Sequence, residues 1–312
     1  MKKELPLIRS FADIDRIASE QGPKTLAVLA PEDEEFMLAI KRSTREGIVR
    51  PVLIGNKEKM AAVADRVAFD ISDIEKIFEE DRQSITDLGV SRLFAGSVDI
   101  VSKGQIPTSY VYRSVIQAKS RIKDRRTISV ISLWEIPGVD RLIILTDTGV
   151  NIDPNFRAKM NIIKNAVHFS NLLGYAKPRI GIISGERGIG EPMGSWQDAT
   201  RLREAAMSGD LGICEVVEAT SFIEMFLGKG ETLKNYEDID MTKLPEILLV
   251  PNLDTGNILV KLDFFLDVNR RSLVSTSKGP VIIPSRSDHS ESISGALALG
   301  VVAADRIKNG TN

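Results

Sequence analysis

The stretch TISVISLWEIPGVDRLIILTDTGVNIDPNFRAKMNIIKNAVHFSNLLGYAKPRIGIIS, residues 127–184, decides the fold. Two apolar runs, 127–136 and 141–147, meet across Pro137-Gly138, a turn signal that predicts antiparallel pairing. The polar junction TDTGVNIDP (146–154) follows the second run directly. Asp153 as cap and Pro154 at the first helical position then open a long helix carrying Ile162, Ile163, Val167 and Leu172, closed by Gly174. RIGIIS (179–184) is expected to be a strand.

Outward from this stretch, apolar runs alternate with amphipathic ones. TLAVLA (25–30), PVLIG (51–55) and RLFAG (92–96) read as strands. Helices are expected from Pro31 to Gly47, over 57–66, and from a Thr108 or Ser109 cap through Ile116. Ser195 and Asp198 form a candidate capping box for a helix through Ala206. EILLVP (246–251) and PVIIP (280–284) are strands, each followed by a helix, and the polar run 228–243 is an exposed connection. Alternation of this kind implies right-handed crossovers and a mainly parallel sheet with helices on both faces. The turn at Pro137 breaks the alternation and marks where a second subdomain begins.

Composition narrows the function classes. The 312 residues are 43% hydrophobic and 27% charged, as in a soluble globular protein, and the formal net charge of -2 gives no global basic field for nucleic acid. One cysteine, Cys214, excludes an internal disulfide, and with two histidines leaves too few ligands for a zinc centre. The first twenty residues lack an apolar signal core, and no run approaches the roughly 18 apolar residues of a membrane span. A cytoplasmic protein with no nucleic-acid or membrane partner is expected.

Ligands of open parallel sheets bind beyond the carboxyl ends of strands. Three strand ends here are polar: 146–154 with Asp147, Gly149 and Asn151; PNLDTGN (251–257) with Asp254, Gly256 and Asn257; and PSRSDHSES (284–292). A fourth segment, SKGQIPTSYVYR (102–113), offers Lys103, Thr108, Ser109 and Arg113. In 284–292, Asp288 can cap the next helix and Glu291 can close a capping box. The free N–H groups and partial positive charge of a helix start suit a phosphate, and the Arg286 fork would add bidentate contacts. The same residues also read as ordinary caps and a surface arginine. Gly256 permits close backbone approach to a ligand, or a plain turn. GERGIGEPMG (185–194) spells neither a dinucleotide fingerprint nor a P-loop and reads as a flexible loop or lid. His168 reads as a helix residue, His289 as a first-turn residue beside the candidate site, and Trp134 and Trp196 as structural.

The junctions together resemble the phosphate acetyl/butyryltransferase family. The matching runs are LAVLAPEDEEFMLAIKRSTREGIVRPVLIG (26–55), LIILTDTGVNIDPNFRAKMNIIKNAVHFSNLLGYAKPRIGIIS (142–184), ILLVPNLDTGNILVK (247–261) and KGPVIIPSRSDHSES (278–292), in the family's order over most of the chain. WEIPGVDRLIILTD (134–147) is closer to the butyryl branch. The resemblance implies a two-domain α/β fold with parallel or mixed sheets flanked by helices. It is similar to the isocitrate and isopropylmalate dehydrogenases, with the active site in the interdomain cleft. Residues 1–126 plus 284–312 would form the first domain and 127–283 the second. It implies a homodimer that interconverts acyl-CoA plus phosphate with acyl phosphate plus coenzyme A. Coenzyme A is then a substrate, and no cofactor is permanently bound and no metal required.

By the resemblance, Ser285 and Arg286 bind the phosphoryl end, with Arg113 also on the substrate. A base must help form the coenzyme A thiolate, and donors to the tetrahedral oxyanion supply much of the catalysis. The catalytic set is Ser285, Arg286, Asp288 and Glu291. The binding set is Arg113, Lys103, Thr108, Ser109, Asp147, Asn151, Asp254, Gly256 and Asn257. The position of the acetyl branch's proposed base, six residues after the arginine, is Ser292, so Asp288 or Glu291 would stand in. Segments 184–187 and 216–230 and Pro107 also depart from the family pattern. These departures favour a second reading, a non-catalytic paralogue that binds coenzyme A or a phosphorylated ligand. A third reading, a dehydrogenase, needs clustered metal-binding aspartates that the sequence does not offer.

Overall fold

The structure, a computed structural model, describes residues 5–124, 126–184, 194–217, 224–227, 240–285 and 287–310. The expected loop over 185–193, much of 216–230, the connection 228–239 and Arg286 lie outside the described residues. The chain divides into a flanking unit, residues 11–126 and 271–312, and a central unit, residues 1–10 and 127–270.

The flanking unit opens with α1 (Phe11–Gln21), β1 (Lys24–Leu29), α2 (Glu34–Arg45), β2 (Val49–Gly55), α3 (Lys57–Arg66), β3 (Glu75–Phe78), α4 (Arg82–Ala95), β4 (Ile100–Lys103) and α5 (Thr108–Arg121). The central unit holds β5 (Ser129–Glu135), β6 (Ile143–Thr146), α6 (Phe156–Leu172), β7 (Arg179–Ile182), α7 (Gly194–Met207), β8 (Glu215–Val216), α8 (Glu224–Leu227), β9 (Ile247–Leu249) and α9 (Leu253–Lys261). The chain then returns through β10 (Asn269–Ser275), β11 (Pro280–Ile282) and α10 (Ser290–Gly310).

In the flanking unit the strand order is β3-β2-β1-β4-β11-β10, with every neighbour parallel except the antiparallel pair β10–β11. The last four residues of β1 and all of β4 are buried, as expected of strands covered on both faces. Helix α10 packs on α1 and α2, and α4 on α5. Leu29 pairs with Lys103 and Ile282 with Ser102, so the chains leaving β1, β4 and β11 emerge at one level. In the central unit β5 and β6 are antiparallel around Gly138, and β6-β9-β7-β8 run parallel. The core there gathers Trp134, Ile143, Leu145, Leu248 and Val250.

Several expectations are corrected. RLFAG (92–96) is the end of helix α4, not a strand; Ile85, Gly89, Val90 and Leu93 form its buried face and Gly96 its left-handed C-cap. Helix α6 is capped by Asn155, which accepts from Ala158 N–H, so Asp153-Pro154 lies just before it. Helix α5 has no side-chain cap, and Pro107 stands where Thr108 or Ser109 was expected. Helix α7 already begins at Gly194, one residue before the expected Ser195 cap, and Asp198 accepts from the buried Lys159 at 2.7 Å. Strands β3, β4 and β8, which are short, and β10, which is mostly polar, lay outside the expected set.

The division places residues 1–10 with 127–270 and residues 271–312 with 11–126. Ile8 is fully buried in the central unit, donates to the Leu173 carbonyl at 2.9 Å and accepts from the Tyr175 hydroxyl at 3.2 Å. Strand β11 pairs with β4 and so returns the chain to the flanking unit before residue 284.

Candidate functional site

In the flanking unit, a recess opens at the level where β4 and β11 end. Lys103, Gly104, Gln105 and Ile106 line it from β4, Pro284, Ser285, Asp288 and Ile293 from β11 and α10, and Asp33 and Phe36 from the start of α2. Two backbone features hold it open. Gly104 donates to the Leu29 carbonyl and Gln105 to that of Ala30, which binds the β4 exit to the end of β1. A Cβ at position 104 would run into the Ala30 carbonyl oxygen and come within 3.0 Å of Phe36 Cδ1, so only glycine fits this approach.

The carboxylates around the recess are tied to backbone N–H groups. Asp33 accepts from Phe36 N–H at 3.0 Å and caps α2, and Gln105 donates to its other oxygen at 3.3 Å. Asp288 turns back to accept from Ser285 N–H at 2.8 Å, so it fixes the β11 exit instead of capping α10. Glu35 of α2 does that work: it accepts from Ser290 N–H at 2.6 Å. This hydrogen bond, from an oriented backbone donor to the charged form, holds the Glu35 carboxyl below its usual pKa. The Ser285 and Ser287 hydroxyls are 3.0 Å apart and both residues are exposed. Lys103 is buried along the recess wall, with a long 3.5 Å contact to the Gly104 carbonyl.

Of the candidates in this unit, Lys103, Ser285 and Asp288 line one recess. Thr108, Ser109, Arg113 and Glu291 do not line it. Arg113 is exposed on α5, reaches Gln83 Oε1 at 3.3 Å and lies 5.7 Å from the Tyr110 ring. Glu291 is exposed on α10. Asp33, Phe36 and Gln105 were not nominated from sequence. The acids after Pro31 gave a usable signal, but it reads as an ordinary helix start.

In the central unit the polar strand ends are spent on their own turns. The Asp147 carboxylate is 3% exposed and accepts from Val130 N–H at 2.9 Å, Gly149 N–H at 3.1 Å and Asn151 N–H at 2.8 Å. It also accepts from Val150 N–H at 3.3 Å and Asn151 Nδ2 at 2.5 Å. Burial pushes its pKa up, and these donors pull against that. Asn151 also donates to the Ile128 carbonyl at 2.9 Å, stapling the turn to β5. At the end of β9, Asn252 caps α9 by accepting from Thr255 N–H at 3.0 Å. The close approach expected of Gly256 is to protein: a Cβ there would lie 2.6 Å from the Asp147 carbonyl oxygen. Asp254 is exposed and Asn257 half-buried on the first turns of α9.

Among the described residues, no group of three or more His, Cys, Asp or Glu side chains could hold a metal ion, and no helix is long and apolar enough to cross a membrane. His168 is exposed on α6, His289 is exposed beside the recess, and Trp134 is packed in the core. Cys214 is half-buried, and burial pushes its thiol pKa up, away from a reactive thiolate.

Comparison with known proteins bears on both units. The family model described as "Phosphate acetyl/butaryl transferase" matches residues 79–300. A phosphate butyryltransferase from Clostridium acetobutylicum is 26% identical over 299 residues, covering 96% of this chain and 99% of that protein. Among solved structures, a phosphotransacetylase from Streptococcus pyogenes aligns with TM-score 0.76 at 17% identity, covering 95% of this chain and 99% of the other. A branched-chain phosphotransacylase from Enterococcus faecalis aligns with TM-score 0.72 at 21% identity, covering 89% and 99%. The two structural likenesses speak to fold.

Proposed function

This chain belongs to the phosphate acetyl/butaryl transferase family, an enzyme of the phosphate acyltransferase type, and from that premise we propose that it interconverts acyl-CoA plus inorganic phosphate with acyl phosphate plus coenzyme A. The observation that carries the reading is the flanking-unit recess. Two segments whose sequences resemble the family's, the start of α2 at Asp33 and the exit of β11 at Ser285, line it together with Lys103 at the exit of β4. The Lys103 cation and the Ser285 hydroxyl are suitable donors for a phosphoryl group, and Arg286 follows Ser285 directly in the chain.

In the synthetic direction of the thioester, the coenzyme A thiol loses its proton to a carboxylate and its sulfur attacks the acyl carbon. The S–C bond forms, the tetrahedral oxyanion collapses, the bond from carbon to the phosphate oxygen breaks, and the departing phosphate takes the proton back from the carboxylic acid to leave as the hydrogen phosphate dianion. Asp288 is our candidate base in preference to Glu291, because it lines the recess and Glu291 does not. Donors aimed at the oxyanion and at the leaving phosphate lower the barrier by being in position beforehand. The family resemblance also supports a cytoplasmic homodimer. The serine at position 292 favours one other reading, a paralogue that binds coenzyme A without turnover.

The test mixes the protein with coenzyme A and acetyl, propionyl or butyryl phosphate and follows thioester absorbance. Turnover is expected, and Arg286→Ala should lose about 10²–10³-fold in kcat/KM. A variant that keeps most of the wild-type rate breaks the site assignment. Heat on titration with coenzyme A but no turnover selects the binding paralogue, and neither heat nor turnover discards both readings.

A further inference from the structure

We propose that Phe36 sets the longest acyl chain this protein accepts, by forming the fixed end wall of the recess; the inference rests on the acyltransferase reading above. The recess has two characters. Ser285, Asp288 and Lys103 give it a polar side, and Phe36, Ile106 and Ile293 give it an apolar one. An acyl phosphate has the same two characters, a charged head joined to a hydrocarbon tail. The recess holds only a few water molecules, so a small group fills it.

Phe36 is the largest of the apolar wall residues. Its side chain is 3% exposed, and its edge abuts the Gly104 backbone, where a Cβ would come within 3.0 Å of Cδ1. Its own N–H is held by Asp33 at 3.0 Å. The preceding residue, Glu35, is bound to Ser290 N–H at 2.6 Å, which locks the first turn of α2 to the first turn of α10. A wall held from both sides does not yield to an extra methylene. Each methylene that does not fit is worth about 10–200-fold in kcat/KM, so the chain-length profile should fall sharply instead of tapering.

The test measures kcat/KM for acetyl, propionyl, butyryl, valeryl and hexanoyl phosphate in wild type, Phe36→Leu and Phe36→Ala. Circular dichroism melting establishes that each variant is folded, and the leucine variant, which removes less volume, covers the case in which alanine unfolds. The expected result is a rise of about tenfold or more in the ratio of the first rejected chain to acetyl in either folded variant. A merely structural role would lower all rates together and leave that ratio unmoved. An unchanged ratio in a variant that still turns over acetyl or butyryl phosphate overturns the inference and leaves the acyltransferase reading intact. Absence of wild-type turnover with every substrate overturns both.

Discussion

At the end of β6 in the central unit, the Asp147 carboxylate is enclosed by N–H donors from Val130, Gly149, Val150 and Asn151. At the end of β11 in the flanking unit, Asp288 takes the Ser285 N–H and remains on the wall of an open recess. Both strand ends are polar, both follow an apolar strand, and both precede a helix. They differ in where their hydrogen-bonding capacity goes. In the central unit it closes a turn on itself and against α9, where Gly256 sits against the Asp147 carbonyl. In the flanking unit it fixes the backbone while leaving Ser285 exposed and Lys103 along the wall. Substitutions should therefore separate: activity without stability in one place, stability first in the other.

The first expected effect is on activity. Lys103→Met keeps the aliphatic stem and removes the cation, and should lower kcat/KM by about 10²-fold while moving the melting temperature little. A steady-state thioester assay beside a thermal melt reads both, and a large melting change with normal activity would erase the contrast. Next, Asp147→Ala strands several buried N–H donors and should cost about 3 kcal/mol or more of unfolding free energy, read by urea denaturation. Normal stability with lost activity would instead make Asp147 a ligand-binding group.

The smallest effect sharpens the flanking side. Glu35 has a lowered pKa in the fold, so its contribution is present above the usual glutamate pKa of about 4.3 and fades as pH falls through its lower folded value. Glu35→Gln should melt slightly below wild type at neutral pH, and the gap should close in acid. A gap that is constant with pH would mean that the charge is not what holds Ser290.

The sheet architecture was largely legible. Strand-helix alternation predicted the parallel sheet, and Pro137-Gly138 predicted the antiparallel β5–β6 pair. RLFAG misled because a short apolar run is compatible with the buried face of a helix as well as with a strand, and the cap that decides the matter, Asp81 on Ser84 N–H, lies eleven residues before that run. The site was legible in part. Ser285, Asp288 and Lys103 were nominated and share a recess. Asp288 was expected to cap α10, a sound local expectation that fails because the acceptor comes from Glu35, 255 residues away in sequence. No local pattern carries such a partner. Asp147 and Asn151 looked available for a ligand for the same reason: sequence shows which groups can bond, and only the fold shows what they bond to.

The placement of β11 between β4 and β10 has a consequence for how the protein is made. Until residues 280–282 leave the ribosome, β4 presents an unsatisfied edge, and α1 and α2 lack the α10 surface that covers them. The central unit needs only residues 1–10 and 127–270, so it can close while the flanking unit still waits for its last strand and helix. The nascent flanking half is thus the portion most in need of a chaperone during synthesis.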